Sequence, residues 1–188
     1  MSFPTFLGAF TTPQDLPKKY ERAFVCVGRS NVGKSSFVNA LTSSKISKVS
    51  SNPGRTQTIN VFSLSPNSAL IDVPGYGYAK HSKELRQELE TRIFATLTNT
   101  QHLKRVFLVI DAFVGLTALD QEMIAFLTAE HIAFTVLANK ADKLNQRERA
   151  QQEKTLHAQL PADASLLFCS AKTGTGFGEI RQLLNADS

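Results

Sequence analysis

The sequence has few cysteines and no long apolar run, and both absences limit what the chain can be. Its two cysteines, Cys26 and Cys169, each lie among apolar residues, which predicts buried free thiols rather than a disulfide. No apolar run approaches the roughly 20 residues that a membrane-spanning helix needs. Residues 1–13 contain two prolines, and no basic leader precedes the first apolar residues, so we expect no secretory signal. A cytoplasmic protein with no membrane partner is expected.

The sequence also lacks internal repeats and any linker-like segment. Its 188 residues, 42% of them hydrophobic and 20% charged, are typical of one globular domain with a single substantial core. We therefore predict a single domain over residues 1–188, in which residues 1–20 form an extended N-terminal lead-in.

Acidic residues are scarce in the N-terminal third of the chain. Residues 1–60 contain eight Lys and Arg but two acidic residues, whereas residues 61–188 contain thirteen and fourteen. The formal net charge of +5 therefore comes from the N-terminal part. A basic surface favours partners that carry phosphate, although scattered surface lysines by themselves indicate only a soluble surface.

Apolar runs that alternate with helical patterns predict an α/β fold with a mostly parallel sheet. The six predicted strands are residues 22–27, 58–64, 68–72, 105–111, 132–138 and 165–169. The link between the second and third is a short turn, so these two strands should pair antiparallel. We expect six strands with one antiparallel edge strand, and helices on both faces.

Two further segments complete this prediction. Apolar residues recur at every fourth position from Leu85 to Leu97, which indicates a helix with one apolar stripe. Residues 43–57 are polar, basic and without periodicity. Because long loops inside compact domains are functional or disordered, this loop is a candidate functional segment.

The strongest motif, GRSNVGKS over residues 28–35, follows a buried strand and precedes an amphipathic segment. It matches the pattern G-x-x-x-x-G-K-[ST], in which backbone N–H groups surround a polyphosphate at a helix N-terminus. A Cβ at Gly33 would obstruct the phosphate or the turn. Lys34 is expected to reach the outer phosphates, and the Ser35 hydroxyl to bind Mg²⁺. A chance match is weakened by the flanking strand and helix.

A second motif, DVPG over residues 72–75, also follows a predicted strand. The Asp72 carboxylate is expected to hold the Mg²⁺ shell, and the Gly75 N–H to contact a terminal phosphate. That second contact requires a γ-phosphate. Residues 73–81 are therefore a candidate switch segment.

The third motif, NKAD over residues 139–142, predicts which base is bound. The Asp142 carboxylate can accept hydrogen bonds from the N1–H and amine of guanine, and adenine offers no such donor pair. Lys140 should lie along the ring, and Asn139 should connect this loop to the phosphate loop. After the last predicted strand, the tripeptide Ser170–Lys172 places a backbone N–H where it could meet the guanine O6.

These motifs fall in order over nearly the whole chain, and together they resemble the translation-factor-like P-loop GTPases. More narrowly, residues 28–36, 53–60 and 72–79 (GRSNVGKSS, PGRTQTIN and DVPGYGYA) resemble the EngB (YsxC-type) family of ribosome-biogenesis GTPases. Asn139 departs from the threonine expected in that family but matches the wider GTPase pattern.

The resemblance implies a single G domain that binds GTP or GDP with Mg²⁺ and hydrolyses GTP slowly. It also implies a role in assembly of the large ribosomal subunit, linked to cell division. The expected partner is the large subunit or its RNA, and not DNA, and the chain is expected to be a monomer.

The expected site is assembled from these motifs. Its nucleotide-binding residues are Gly28, Arg29, Ser30, Asn31, Val32, Gly33, Lys34, Ser35, Ser36, Gly54, Arg55, Thr56, Asp72, Val73, Pro74, Gly75, Asn139, Lys140, Asp142, Ser170, Ala171 and Lys172. Its catalytic residues are Lys34, Thr56, Gly75 and Asn31, and its Mg²⁺ ligands are Ser35, Thr56 and Asp72. The resemblance places the first switch at residues 52–60, and spacing alone does not separate Thr56 from Thr58 as its Mg²⁺ ligand.

Two departures bear on catalysis. The residue after Gly75, glutamine in Ras-like proteins, is Tyr76, and a phenol cannot orient water as an amide does. Arg55 could supply a positive charge from the first switch. Relatives with asparagine at the position of Asn31 use it to hold K⁺, so K⁺-stimulated hydrolysis is a hypothesis for this chain.

Three other functions would each use part of this sequence. A P-loop ATPase or kinase would share residues 28–35 and Asp72 but has no use for residues 139–142. A GTPase could regulate a different RNA or protein assembly. A pure RNA-binding module would need only the basic surface.

Overall fold

The computed structural model describes residues 4–43, 58–77 and 82–186 of the chain. Its strands are β1 (Thr5–Phe10), β2 (Arg22–Gly28), β3 (Ile59–Ser65), β4 (Ser68–Asp72), β5 (Leu103–Asp111), β6 (Phe134–Asn139) and β7 (Ser165–Phe168). Its α-helices are α1 (Lys34–Thr42), α2 (Lys83–Asn99), α3 (Ala118–Ala129), α4 (Gln146–Gln159) and α5 (Phe177–Ala186). The predicted α/β class is confirmed.

The strands form one sheet in the order β1-β3-β4-β2-β5-β6-β7. Strands β4, β2, β5, β6 and β7 run parallel to one another, and β3 is antiparallel to both β4 and β1. The predicted antiparallel pairing of β3 with β4 is thus correct. A parallel run of five strands sends all their carboxyl ends to one edge of the sheet.

The predicted number of strands is wrong, because the N-terminal segment adds a seventh. Residues 5–10, predicted as part of an extended lead-in, pair with β3 from Thr5 opposite Ser63 to Phe10 opposite Ile59. Strand β3 is therefore an interior strand rather than the edge. The segment has no clear apolar alternation, and Gly8 interrupts it where the register shifts, so its pairing depends on β3 rather than on its own pattern.

Helices cover both faces of the sheet, as predicted. The first face holds Val25, Val27 and the other odd-numbered β2 residues, and it packs against α2, α3 and α4. The second face holds Phe24 and Cys26, and it packs against α1 and α5. The alternation along β2 follows from the two-residue period of a strand, and it explains why a strand buried on both faces is apolar throughout.

Aromatic residues fill the second core. Phe37 of α1 lies with its ring centroid 6.3 Å from that of Phe107 in β5 and 5.5 Å from that of Phe177 in α5. All three side chains are buried. The packing of Phe37 fixes the first turns of α1 against the sheet, and the phosphate-loop motif leads directly into those turns.

The two cysteines are free and buried, as the sequence predicted. Burial raises the pKa of Cys169 to about 12. Burial, followed by the nearby Asp72 carboxylate, raises the pKa of Cys26 well above its usual value. Both side chains are therefore protonated thiols that pack as small apolar groups.

Candidate functional site

The polar residues predicted to form the site lie at the carboxyl edge of the parallel strands. Gly28 ends β2, Asp72 ends β4, and Asn139 ends β6. Asp111 ends the intervening strand β5 and pairs in register with Asn139. Ligands of open α/β sheets bind outside this edge, so the fold brings the three separate motifs together.

The loop of residues 29–33 connects β2 to α1 and requires glycine at both ends. A Cβ on Gly28 would lie 2.4 Å from the backbone oxygen of Val109 in β5. Gly33 has φ of 93°, and a Cβ there would lie 2.5 Å from Nδ2 of Asn139. A side chain at residue 33 would therefore also displace Asn139, whose side chain connects the loop after β6 to the phosphate loop.

Lys34 and Asp72 form a buried ion pair at the N-terminus of α1. The Lys34 Nζ donates to Asp72 Oδ1, and it also donates to the backbone oxygen of Val73 at 2.5 Å. The side chains are 8% and 1% exposed, so water does not compensate either charge. An ion pair this buried depends on both partners.

The second carboxylate oxygen of Asp72 fits a metal ion. Within the described residues, Asp72 Oδ2 is buried and has no hydrogen-bond partner. Ser35, half-buried in the first turn of α1, is the residue next to Lys34. Carboxylate and hydroxyl oxygens are ligands that Mg²⁺ accepts, so these two residues could hold it.

The segment after Asp72 pairs with the phosphate loop. Tyr76 donates its N–H to the Gly28 oxygen at 3.3 Å, and the Tyr76 oxygen accepts from the Ser30 N–H at 3.0 Å. A Cβ on Gly75 would lie 3.1 Å from Ser30 Oγ, so these two backbones are close together. A change in the backbone of residues 29–31 would therefore shift the backbone at Gly75.

The Asn139 side chain joins three loops. Its Nδ2 donates to the backbone oxygen of Val32 at 3.0 Å, and its Oδ1 accepts from the backbone N–H of Ala171 at 3.1 Å. It is 1% exposed. The sequence predicted the connection to the phosphate loop, and the structure adds the connection to residues 170–172.

The exposed Asp142 is oriented by the buried Ser170, whose Oγ donates to Asp142 Oδ1 at 2.6 Å. Ser170 Oγ in turn accepts from the N–H groups of Lys172 and Thr173 at 3.3 and 3.2 Å. The hydrogen bond from Ser170 is the largest cause that lowers the pKa of Asp142. Asp142 is therefore a fixed, ionised acceptor at the end of the site.

Lys140 is held by a residue that the sequence analysis missed. Its Nζ donates to Asp111 Oδ2 and to the backbone oxygen of Asn31, both at 2.7 Å. Partial burial would raise the pKa of Asp111, but the hydrogen bond and charge of Lys140 outweigh it, and the pKa is lowered. The sequence did offer one indication of this contact, because Asp111 is a carboxylate at the end of β5, the strand next to β6.

A second missed residue is Asp120, in the first turn of α3, which is fully buried. Its carboxylate accepts from the Tyr76 hydroxyl at 2.8 Å and from Oγ1 and the N–H of Thr117 at 2.7 and 2.9 Å. Arg29 donates to it at 3.3 Å. The capping-box spacing from Thr117 was visible in the sequence, but the contacts to the phosphate loop were not.

Part of the predicted site lies outside the described residues. Gly54, Arg55 and Thr56 belong to this part, as do residues 78–81 of the predicted second switch. Thr58, the alternative to Thr56, is half-buried and immediately precedes β3.

Known proteins resemble this chain in both sequence and fold. Residues 23–140 match a family model described as "50S ribosome-binding GTPase". The chain is 40% identical over 181 residues to "Probable GTP-binding protein EngB" of Aquifex aeolicus, with 93% of this chain and 94% of that protein covered. It is 38% identical over 185 residues to the protein of that name from Cereibacter sphaeroides, with 95% and 85% covered. The chain belongs to the EngB family.

Membership of this family makes the chain a P-loop GTPase. A crystal structure of a probable GTP-binding protein EngB superposes with a TM-score of 0.74 at 25% identity, and it covers 88% of this chain and 97% of that one. A structure of Era, solved with MgGDPNP and a piece of 16S ribosomal RNA, gives 0.72 at 23% identity, over 88% and 56% of the two chains. The Era likeness concerns the fold alone. The fold implies binding of a guanine nucleotide, typically with Mg²⁺.

None of the helices within the described ranges is both long enough and apolar enough to cross a membrane.

Proposed function

We propose that this EngB-family GTPase is a GTP-dependent switch that hydrolyses GTP slowly and assists assembly of the large ribosomal subunit, with a link to cell division. The observation that carries the nucleotide part is the Asn139 side chain, which bonds the phosphate loop and the loop of residues 170–172 together. A site connected in this way supports one ligand that reaches from Lys34 to Asp142.

In this proposal, the phosphates lie against the backbone N–H groups of residues 29–36 at the N-terminus of α1. Lys34 exchanges its contact with Asp72 for the outer phosphates, which releases the Asp72 carboxylate for the metal shell. Ser35, Asp72 and one threonine, Thr56 or Thr58, would hold Mg²⁺, which when bound offsets the charge of the phosphates.

At the other end, Asp142 accepts from the guanine N1–H and amine, and the loop of residues 170–172 faces the base oxygen. Asp111 holds the Lys140 side chain in place, and Lys140 would lie along the ring. The fixed position of Asp142 under Ser170 supports selectivity for guanine, because adenine would leave the carboxylate unpaired. Competition between GTP and ATP for the protein tests this part directly, and equal affinities would contradict it.

For hydrolysis, the Gly75 N–H would donate to the γ-phosphate, and Asn31 would hold K⁺, which when bound would supply positive charge there. Asn31 is exposed, and its φ of 70° is a conformation that asparagine tolerates. An exposed amide oxygen is a ligand that a monovalent cation accepts. We expect faster hydrolysis in KCl than in NaCl at equal ionic strength, and Asn31→Ala should remove the difference. Identical wild-type rates in the two salts would refute the role of K⁺.

Two observations support the ribosomal part: the family model described as a 50S ribosome-binding GTPase and the basic N-terminal third of the chain. The test is sedimentation with purified large ribosomal subunits in a GTP analogue and in GDP. Association in the analogue alone is expected, and Lys34→Ala should abolish it.

A charge control sharpens the same experiment. Lys18 and Lys19 are exposed in the basic part, and Arg147 and Lys154 are exposed on α4. Replacing the first pair with alanine should weaken association and reduce its salt dependence, because fewer phosphate contacts are made. Replacing the second pair should change neither. Absence of association in both nucleotide states would leave a GTPase that acts on another RNA or protein assembly.

A further inference from the structure

The contacts around Tyr76 indicate a role that its position directly after the DVPG motif does not reveal. Tyr76 directly follows Gly75 and is 5% exposed. Its hydroxyl donates to Asp120 Oδ1 at 2.8 Å, so the ring is fixed below the N-terminus of α3. A side chain fixed there does not orient an attacking water, and its contribution must come through the backbone that it holds.

The acceptor of this bond is itself rigid. Asp120 has no solvent exposure, and its other oxygen accepts from Thr117 and from Arg29 of the phosphate loop. Burial, followed by the Asp120 charge, raises the pKa of Tyr76, so the phenol keeps its proton and remains a donor. One buried carboxylate thus joins the phosphate loop, the segment after Gly75 and α3.

Gly77, the next residue, also packs closely against α3. Gly77 has φ of 70°, and a Cβ there would lie 2.7 Å from Cδ1 of Leu119. The backbone of Tyr76 also exchanges hydrogen bonds with Gly28 and Ser30. Residues 75–77 are therefore held on one side by the phosphate loop and on the other by α3.

We propose that Tyr76 is a positioning residue for GTP hydrolysis, and that its hydrogen bond to Asp120 holds the Gly75 N–H where the γ-phosphate binds. The inference rests on the proposed contact between Gly75 and the γ-phosphate. GDP has no γ-phosphate, so loss of the bond should affect GTP and leave GDP unaffected.

The test is Tyr76→Phe, which removes the hydroxyl and keeps the ring. We expect the affinity for a non-hydrolysable GTP analogue, relative to GDP, to fall about tenfold, as for loss of one hydrogen bond to a charged group. GDP affinity should stay within about twofold, and the single-turnover rate at saturating GTP should fall as well. The measurements are calorimetric titrations of both nucleotides and a quenched time course.

Two matched controls separate positioning from general stability. Tyr20→Phe removes another buried tyrosine hydroxyl, one without a hydrogen-bond partner among the described residues, and should change neither ratio nor rate. Thr117→Val removes a different donor to the same Asp120 carboxylate, so it should lower thermal stability without changing the ratio. Should Tyr76→Phe not fold, Asp120→Asn replaces it, because a neutral amide oxygen accepts a weaker hydrogen bond than a carboxylate and should give a smaller fall in the same ratio.

The proposal is overturned if Tyr76→Phe leaves the ratio of analogue to GDP affinity unchanged or raises it, or if Thr117→Val lowers that ratio equally. In either case, binding of GTP and GDP by the wild-type protein, measured in the same series, would still support the proposed function. If the wild-type protein binds neither nucleotide, the proposed function fails instead.

Discussion

At the scale of single residues, the site depends on charges buried in pairs. Lys34 and Asp72 are both largely removed from water, and each compensates the other. The same lysine is needed for the phosphates, so one side chain serves both the fold and the ligand. Its replacement should therefore have two separable effects.

We expect Lys34→Ala to lower nucleotide affinity about 100-fold or more and to lower the free energy of unfolding by about 3 kcal/mol. The stability loss arises because Asp72 is left buried without its partner. The double variant Lys34→Ala with Asp72→Asn should recover part of the stability but none of the binding. Urea unfolding and calorimetric titration measure the two effects, and additive stability losses would show that the pair is not coupled.

Asp142 permits a sharper test of base recognition. Asp142→Asn keeps the size of the side chain, but its amide cannot accept both guanine donors. We expect GTP affinity to fall about 100-fold, and xanthosine triphosphate, whose base presents an acceptor there, to bind more tightly than GTP. Competition between the two nucleotides on wild type and variant is the measurement. An unchanged base preference would place the guanine site elsewhere.

At the scale of secondary-structure elements, the adjacency of β5 and β6 is what positions the base-binding lysine. Asp111 ends β5 opposite Asn139 at the end of β6, so its carboxylate reaches Lys140 across one strand spacing. This ion pair stabilises the loop after β6, and its strength follows the ionisation of Asp111.

The pKa of Asp111 is lowered in the folded protein, so its contribution to stability is present above its unfolded pKa of about 3.9. That contribution is lost as pH falls through the folded pKa. Asp111→Asn should thus be less stable than wild type at pH 7, by less than about 1 kcal/mol because the pair is partly exposed. The gap should begin to narrow below about pH 4 and close once the pH is below the folded pKa of Asp111.

Urea unfolding of both proteins at several pH values measures this gap. Asp163→Asn, in the exposed connection before β7, is the matched control and should show no comparable gap at pH 7. A gap for Asp111→Asn that persists in acid would mean that its cause is packing rather than charge.

The elements that sequence predicted well are those whose own residues specify them. Strand β2 is apolar at each position from Ala23 to Val27 because it is buried on both faces, and the residues around Gly28 and Gly33 leave no alternative to a loop. Strand β1 was missed because its order comes from pairing with β3. Asp111 and Asp120 were missed because the site residues that they contact, Lys140 and Tyr76, are 29 and 44 residues away in sequence.

At the scale of the whole molecule, β1 is the edge strand on one side of the sheet. It covers the backbone of β3, and the ring centroids of Phe6 and Phe62 lie 5.3 Å apart. Without it, β3 would present unpaired N–H and C=O groups, which favour association between molecules. The candidate site, at the carboxyl ends of other strands, makes no use of β1.

Removal of residues 1–10 should therefore lower the melting temperature and promote self-association, and leave nucleotide affinity within about threefold. Light scattering after gel filtration, thermal unfolding and GDP titration measure the three outcomes. Leu7→Lys is the control, because Leu7 is exposed on β1 and a charge there should be tolerated. A monomeric truncated protein with an unchanged melting temperature would show that β1 contributes little.

The pairing of β1 with β3 also fixes an order of events during synthesis. Phe10 cannot pair until Ile59 has been translated, nor Thr5 until Ser63 has been translated. The intervening β2 and α1 are therefore made before β1 has a partner. Until then the nascent segment contributes no hydrogen bonds to the sheet. Strand β2 gains its neighbours β4 and β5 later still, because both follow β3 in the chain, so β1 and β3 can pair before the central strand has any partner.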